Sequence, residues 1–597
     1  MSSKHFNWTD QDQICVDTIR ILSAEMVQAA NSGHPGMPMG FAKPAHLLWT
    51  RFLKFNPDNP FWPARDRFIL SCGHGSALNY SLLHLAGYNL SIDDLKNFRQ
   101  LGSLTPGHPE FGVTPGVETT TGPLGAGISN AVGMAMGQRY VRETLGNSDS
   151  FNALDHYIYV VASDGDLQEG VSAEASSLAG RQKLGRMIVL YDDNSISIEG
   201  GTDLAWSEDV NKRYEAYGWH TQAVDGEDPE ALFYAIQNAQ GETVRPSIIK
   251  VKTHIGFGSP NKQDSESSHG SPLGVEELEL TRKALGWDHE PFTVPDEVYG
   301  VYAEAADCGR SKHEEWLEGW EEWSQGLPGR KELWDHLTGG GNRDYVTEEM
   351  PLEFDLDKPL ATRQASGTAL NFIADRDPGI IGGCADLAGS VKTTVKGGSF
   401  LPENPGGRNI HFGIREHAMG SIANGMALYG SLRPYTGTFL IFSDYMRPSL
   451  RLAGLMNLPV IFVFSHDSIG VGEDGPTHQP VEHYAALRAI PNLWVIRPGD
   501  AAETMIAWKM AYDRTDGPTA ILTGRQKLPI IDRKGQFASA LEAQHGAYVL
   551  ADAPNNDPEL ILLATGSELS LSMQAYEKLS AEGVKVRVVS FPCWEVF

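Results

Sequence analysis

Two apolar runs, YIYVVASDGDLQEG at 157–170 and MIVLYDDNSISIEG at 187–200, constrain the fold of this chain more than any other feature. Each holds a strand's length of largely β-branched and aromatic residues and ends in a cluster of acids and amides. Runs of this kind, separated by helix-length segments, form parallel sheets, because a parallel neighbour is reached only through a crossover. SIIKVKT (247–253) continues the alternation, so the first half reads as an α/β domain.

In an open parallel sheet the C-terminal strand ends form the rim where ligands bind. Asp164 and Asn194 lie 30 positions apart, the span of one strand, one crossover helix and the next strand, so both fall on one rim. The Asp164 carboxylate, the Asn194 amide oxygen and a backbone carbonyl near Ile196 make an all-oxygen set that suits Mg²⁺ or Ca²⁺, with phosphate oxygens and water completing it. Taken alone, the same residues read better as an ordinary solvated turn.

A chain of 597 residues exceeds what one hydrophobic core supports. Around 325–358 the pattern weakens into a Gly-, Pro- and charge-rich stretch that reads as a linker. A second alternating region follows, with GIIGGCAD (379–386), PVIFVFSHD (459–467), LWVIRPGD (493–500) and PTAILTG (518–524) as strand candidates. A third begins near 536, with strands in ELILLATGS (559–567) and VKVRVVSF (584–591) and a helix between them. That is too little to close a sheet, so an incomplete domain or a missing tail is expected.

The formal net charge of −28 repels nucleic acid and anionic membrane, so an anionic ligand must meet locally placed cations. No apolar stretch is long enough to span a bilayer, and MSSKHFNWTDQDQ lacks the apolar core of a signal peptide, which gives a cytoplasmic expectation. The five cysteines are scattered without metal-ligand spacing and read as reduced.

The surroundings of the rim residues sharpen the reading. SDGDLQEG, the 30-residue gap and DDNSI resemble the metal–diphosphate motif of thiamine-diphosphate enzymes. NSGHPGMPMG (31–40), SCGHGS (71–76), TPGHPE (105–110), TTTGPLGAGISNAVGMA (119–135), HFGIREHAMG (411–420) and HDSIGVGEDGPTHQP (466–480), in that order, resemble the transketolase family over essentially the whole chain. Two departures stand out: SDG replaces the family's GDG at 163–165, and the third region is shorter than the family's C-terminal domain.

The resemblance implies three consecutive α/β domains with mostly parallel sheets: a diphosphate- and metal-binding domain at 1–325, a pyrimidine-binding domain at 326–535, and a shortened C-terminal α/β domain at 536–597. It implies thiamine diphosphate held through Mg²⁺ (or Ca²⁺) by Asp164, Asn194 and Ile196, with His74 and the backbone around Gly122, Leu124 and Gly165 facing the phosphates. Glu416 matches the family glutamate that drives the cofactor's own aminopyrimidine to act as base. On local sequence alone it reads better as a surface helix residue pairing with Arg415 or His417. Phe439, Phe442 and Tyr445 resemble the aromatic slot for the pyrimidine, although by spacing alone such a stripe is more often core packing. His34, His108, His269 and His478 are similar to the family histidines that bind sugar hydroxyls and move protons, with His34, His269 and His478 joining Glu416 in catalysis. Asp474 would orient a donor hydroxyl, and Arg363, Ser390, His466 and Arg525 would clamp the substrate phosphate.

The implied activity is reversible transfer of a two-carbon ketol unit from xylulose 5-phosphate or fructose 6-phosphate to ribose 5-phosphate or erythrose 4-phosphate, in pentose phosphate metabolism or carbon fixation. In the family the cofactor sits at a subunit interface, so a homodimer is expected; sequence spacing equally permits a site within one chain. Three rivals remain: a dihydroxyacetone synthase using formaldehyde as acceptor, a deoxyxylulose-phosphate synthase, and a non-catalytic relative acting as an interaction module. The arginine clamp speaks against the first and the histidine set against the second. Retention of Glu416 and the metal ligands speaks against the third.

Overall fold

The computed structural model describes residues 6–146, 151–339, 341 and 343–597. Residues 1–5 of the stretch read for a leader, and 340 and 342 of the expected linker, lie outside the described residues. The chain divides into two compact units, Met1–Gln138 with Leu145–Arg330, and Arg139–Thr144 with Lys331–Phe597.

The strands of the first unit are β1 (Arg67–Leu70), β2 (Ile158–Ser163), β3 (Met187–Asp193), a small hairpin of β4 (Ile196–Ser197) and β5 (Gly200–Gly201), β6 (His220–Asp225) and β7 (Ser247–Lys252). Five of them form one parallel sheet in the order β1-β2-β3-β7-β6. β2 and β3 are buried along their whole length, which explains their unbroken apolar sequence: both faces are covered. The pairing of Ser163 with Asp192 sets the register that brings Asp164 beside the start of the Asp193–Asn194 turn. Helix Asp10–Ala30 opens with a Thr9–Asp12 capping box and ends at Asn31, whose left-handed conformation (φ 48°) turns the chain into the His34 loop before helix Gly36–Arg51.

The second unit contains β8 (Ile380–Cys384), β9 (Asn409–His411), β10 (Arg433–Phe439), β11 (Ile461–Ser465), β12 (Trp494–Ile496) and β13 (Thr519–Thr523). They form a six-stranded parallel sheet in the order β12-β13-β11-β10-β8-β9. Phe439 pairs with Ser465 and Ser465 with Thr523, so three strands end level and deliver Phe439, His466 and Arg525 to one rim. A smaller mixed sheet of β14 (Tyr548–Ala551), β15 (Leu560–Ala564) and β16 (Val586–Ser590) has the order β14-β16-β15. Arg497 ties it to the larger sheet, bridging Asp467 at 2.8 Å and also pairing with Glu568.

The α/β architecture with mostly parallel sheets is the one read from the alternation of strands and helices. Three differences from the sequence reading have physical causes. The stretch 325–358 is partly helical, with helices Arg330–Thr338 and Asp344–Thr347, because Trp334, Leu337 and Val346 are apolar anchors that become buried. The third region does assemble a sheet, since YVLA at 548–551 supplies an antiparallel strand that the alternation did not announce. β6 and β10 were also missed: HTQAVD is mostly polar, and RPYTGTF carries proline and glycine inside a strand. No helix among the described residues is long and apolar enough to cross a membrane.

Candidate active site

In the first unit, four histidines from separate segments meet. The His34 ring centroid lies 5.3 Å from that of His74, 6.1 Å from His108 and 5.8 Å from His269, and the His74 and His269 rings stack at 5.2 Å. Burial, together with the neighbouring His269, Arg99 and His108, holds the His34 pKa down to about 4. Burial lowers those of His74, His108 and His269 as well, so these imidazoles stay neutral and can offer a lone pair or an N–H. The buried Nδ1 of His269 has no hydrogen-bond partner among the described residues.

Beside them the 119–125 loop packs tightly. A Cβ on Gly73 would stand 2.6 Å from the Gly122 nitrogen, and one on Gly122 would crowd the His108 ring at 3.2 Å. Gly122 has φ +129°, a conformation only glycine adopts easily. A Cβ on Gly165 would meet the Leu124 side chain at 2.9 Å, so these expected diphosphate contacts are closely packed neighbours.

Sequence reasoning missed the residue that holds this loop. Asp166, fully buried, accepts from Gly125 N (2.8 Å), Ser71 Oγ (2.7 Å) and Ser163 N (2.9 Å), fastening the glycine loop to the end of β2. It stands two residues after Asp164 in an acid-rich run, and only the fold distinguishes the two roles. Arg99 was missed as well; its Nη2 lies 3.4 Å from His34 Nδ1 and donates to the Gly107 carbonyl at 3.2 Å.

On the rim, the Asp164 carboxylate is buried, accepts from the Tyr191 hydroxyl and takes the Ser195 N–H at 3.2 Å. Burial raises its pKa to about 6, with the Tyr191 hydrogen bond opposing and Asp193 reinforcing the rise. Asn194 donates from Nδ2 to Asp192 at 2.8 Å and accepts the Ile196 N–H on Oδ1 at 3.0 Å. Asp164, at the end of β2, is therefore hydrogen-bonded to the turn after β3 that carries Asn194 and Ile196. Buried carboxylates with too little positive charge around them, plus an amide oxygen, are the donor set of a hard divalent cation, and the residues fit one. The tightly packed glycine loop likewise fits a diphosphate bound by backbone N–H groups.

In the second unit, Glu416 begins helix Glu416–Tyr429 and is 6% exposed. Thr438 Oγ1, from β10, donates to its Oε1 at 3.3 Å. Glu416 is thus not a solvated surface residue: burial and the helix N-terminus fix where its carboxylate stands. Phe439, Phe442 and Tyr445 form a ladder of near-parallel rings, with centroids 6.1 and 5.8 Å apart and interplanar angles of 16° and 7°. Phe439 and Phe442 are sheltered, whereas Tyr445 is 63% exposed.

A cavity of about 410 Å³ opens next to this ladder, lined by Arg363, Ser390, Phe439, His466, Asp474, His478 and Arg525. Every residue expected in the phosphate clamp lines it, as do Asp474 and His478. Arg363 donates to the Ser390 carbonyl at 2.9 Å. Arg525 pairs with the exposed Glu473 at 2.5 Å. The His478 ring meets Phe442 edge-on at 5.5 Å. Burial, with Arg363 adding to it, holds His466 down to about 4, and its ring packs 3.8 Å from that of Phe439. The next residue, Asp467, is held by Arg497, which anchors the His466 turn from behind.

The comparisons with known proteins agree across the chain. Residues 11–341 match the family described as transketolase, thiamine diphosphate binding domain; residues 358–530 match the transketolase pyrimidine binding domain; residues 546–597 match the transketolase-like C-terminal domain. A transketolase of Geobacillus stearothermophilus is 51% identical over 98% of this chain and 88% of its own, and one of Aquifex aeolicus 49% identical over 98% and 84%. A crystal structure of the Pichia stipitis transketolase in complex with sedoheptulose 7-phosphate superposes with a TM-score of 0.94 at 43% identity, covering 99% of this chain and 87% of that one. With domain matches in the same order and half of all residues shared across nearly the full length, this chain belongs to the transketolase family.

Proposed function

We propose that this chain catalyses the reversible transfer of a two-carbon ketol unit from a ketose phosphate, such as xylulose 5-phosphate or fructose 6-phosphate, to an aldose phosphate, such as ribose 5-phosphate or erythrose 4-phosphate. Thiamine diphosphate, when bound, supplies a nucleophilic carbon that also stores the electrons of the broken C–C bond. The carrying observation is the cavity in which Arg363 and Arg525 converge with Ser390, two histidines, Asp474 and Phe439, which places cationic side chains locally on a protein of net charge −28.

Asp164, Asn194 and the Ile196 carbonyl hold Mg²⁺ or Ca²⁺, and with it the diphosphate, while His74 and the backbone at Gly122, Leu124 and Gly165 face the phosphate oxygens. Glu416 would hydrogen-bond the pyrimidine ring, and Phe439, Phe442 and Tyr445 would supply an apolar wall for it. Arg363, Ser390, His466 and Arg525 bind the substrate phosphate by charge-assisted hydrogen bonds. His34, His108, His269 and His478 bind sugar hydroxyls, and the neutral state of His34 and His269 lets them accept and return protons. The region 1–325 carries the diphosphate and metal, 326–535 the pyrimidine, and 536–597 forms the C-terminal domain.

The working unit is a homodimer. Tyr445 is 63% exposed, Ile414 two residues before Glu416 is 79% exposed, and Ile469 and Val481 are each 68% exposed, apolar side chains suited to cover by a second copy. Product analysis tests the reading. Xylulose 5-phosphate with ribose 5-phosphate is expected to yield sedoheptulose 7-phosphate, and formaldehyde is expected to be a poor acceptor; preference for formaldehyde would reassign the activity.

A further inference from the structure

Asp444, in the first turn of helix Ser443–Leu455, and Glu482 and His483, at the start of helix His483–Arg488, bring two carboxylates and an imidazole together outside the sugar-phosphate cavity. One ligand atom from each lies within 4.8 Å of the others. His483 Nε2 stands 3.2 Å from Asp444 Oδ2, and Nδ1 stands 3.9 Å from Glu482 Oε2. The ring is 1% exposed, while the two carboxylate side chains are 59% and 76% exposed and free to adjust.

A neutral imidazole carries a single N–H and can satisfy only one of two flanking carboxylates. If Nε2 donates to Asp444, the lone pair of Nδ1 faces the negative charge of Glu482; that buried Nδ1 has no hydrogen-bond partner among the described residues. A cation between the ring and the carboxylates removes the conflict. Two ligands each about 2.1 Å from a tetrahedral ion stand about 3.4 Å apart; the 3.2 Å between Nε2 and Asp444 Oδ2 is close to that value, and Glu482, which faces the other ring nitrogen, reaches the same ion by rotation of its exposed side chain. One imidazole nitrogen with two carboxylate oxygens and open positions suits a borderline ion such as Zn²⁺ or Co²⁺ better than Mg²⁺ or Ca²⁺, which take all-oxygen shells.

We propose that Asp444, Glu482 and His483 form a binding site for a borderline divalent cation of the Zn²⁺ class, separate from the Asp164 site. The buried imidazole supplies a fixed ligand, and the two exposed carboxylates swing onto the ion. Because Asp444 directly precedes Tyr445, an occupied site also fixes the start of the helix that carries the outer ring of the aromatic ladder.

Calorimetric titration of the full chain with Zn²⁺, in saturating thiamine diphosphate and Mg²⁺, tests this. One Zn²⁺ per chain is expected with micromolar or tighter affinity. Glu482→Gln and Asp444→Asn should each weaken it at least tenfold, and His483→Gln should abolish it. The surface variants guard against misfolding of the buried one. With Co²⁺ in place of Zn²⁺, visible d–d bands of a low-coordinate site should appear and vanish in the same variants. No Zn²⁺ uptake by the wild type, uptake unchanged in all three variants, or uptake lost only in Asp164→Asn or His269→Ala would each overturn the proposal. A ring that merely takes a second proton between its carboxylates would give the first of these results.

Discussion

The Thr438 hydroxyl donates to Glu416 Oε1 across 3.3 Å, linking the penultimate residue of β10 to the first residue of helix Glu416–Tyr429. This contact engages one carboxyl oxygen and restrains the rotation of the group. Glu416→Ala is therefore expected to lower kcat by roughly 10²-fold or more, the scale of a lost general acid–base partner. Thr438→Val, which removes only the positioning bond, should cost a few-fold. Steady-state rates at saturating cofactor check both, with thermal unfolding of each variant expected to match the wild type within a few degrees.

Arg363 reaches the sugar-phosphate cavity and donates to the Ser390 carbonyl. Arg363→Ala removes charge-assisted hydrogen bonds worth about 1.5–3 kcal/mol, so KM for a phosphorylated donor should rise about 10- to 100-fold. The rate with the unphosphorylated acceptor glycolaldehyde and a saturating donor should change little. A comparable loss of rate with glycolaldehyde would place the arginine in a structural role.

Much of this was legible in the sequence. β2 and β3 emerged with nearly their observed bounds because both faces are buried and their apolar runs are unbroken. Strands that carry their information in tertiary contacts did not: β6 is polar, and β10, which delivers Phe439 and Thr438, is interrupted by Pro434 and Gly437. The phosphate-clamp residues are scattered over 163 positions from Arg363 to Arg525, and only a resemblance to known motifs grouped them before the rim of the second sheet did. Asp166, Arg99 and Arg497 stayed invisible because their work is to hold neighbours, which no local pattern encodes.

Acid should destabilise the first unit through its histidines. His34 takes up a proton near 6.5 when unfolded and only at about 4 when folded, with burial as the main cause. The unfolded state therefore binds more protons between those values, so the stability is intact above pH 6.5 and is lost as pH falls toward 4. The loss from this residue is at most about 3 kcal/mol. In His34→Asn, denaturation measured from pH 7 to pH 4.5 should show a shallower decline than the wild type. An NMR titration of the His34 ring that centres near 6.5 would refute the account.

Asp166 holds the glycine loop through three buried hydrogen bonds, so Asp166→Ala leaves the Gly125 and Ser163 N–H groups without their acceptor. A destabilisation of roughly 2–5 kcal/mol is expected, read as a lower unfolding temperature, and thiamine diphosphate affinity should fall in parallel. Unchanged cofactor affinity would show that the loop keeps its shape without this anchor.

The most direct measurement is ketol transfer from xylulose 5-phosphate to ribose 5-phosphate by protein stripped of small molecules, assayed with neither, either or both of thiamine diphosphate and Mg²⁺. Full turnover only when both are present, and its loss in Asp164→Asn at ordinary Mg²⁺ concentrations, is the predicted result. No transfer with both supplied to correctly folded protein, or a rate indifferent to the cofactor, would contradict it.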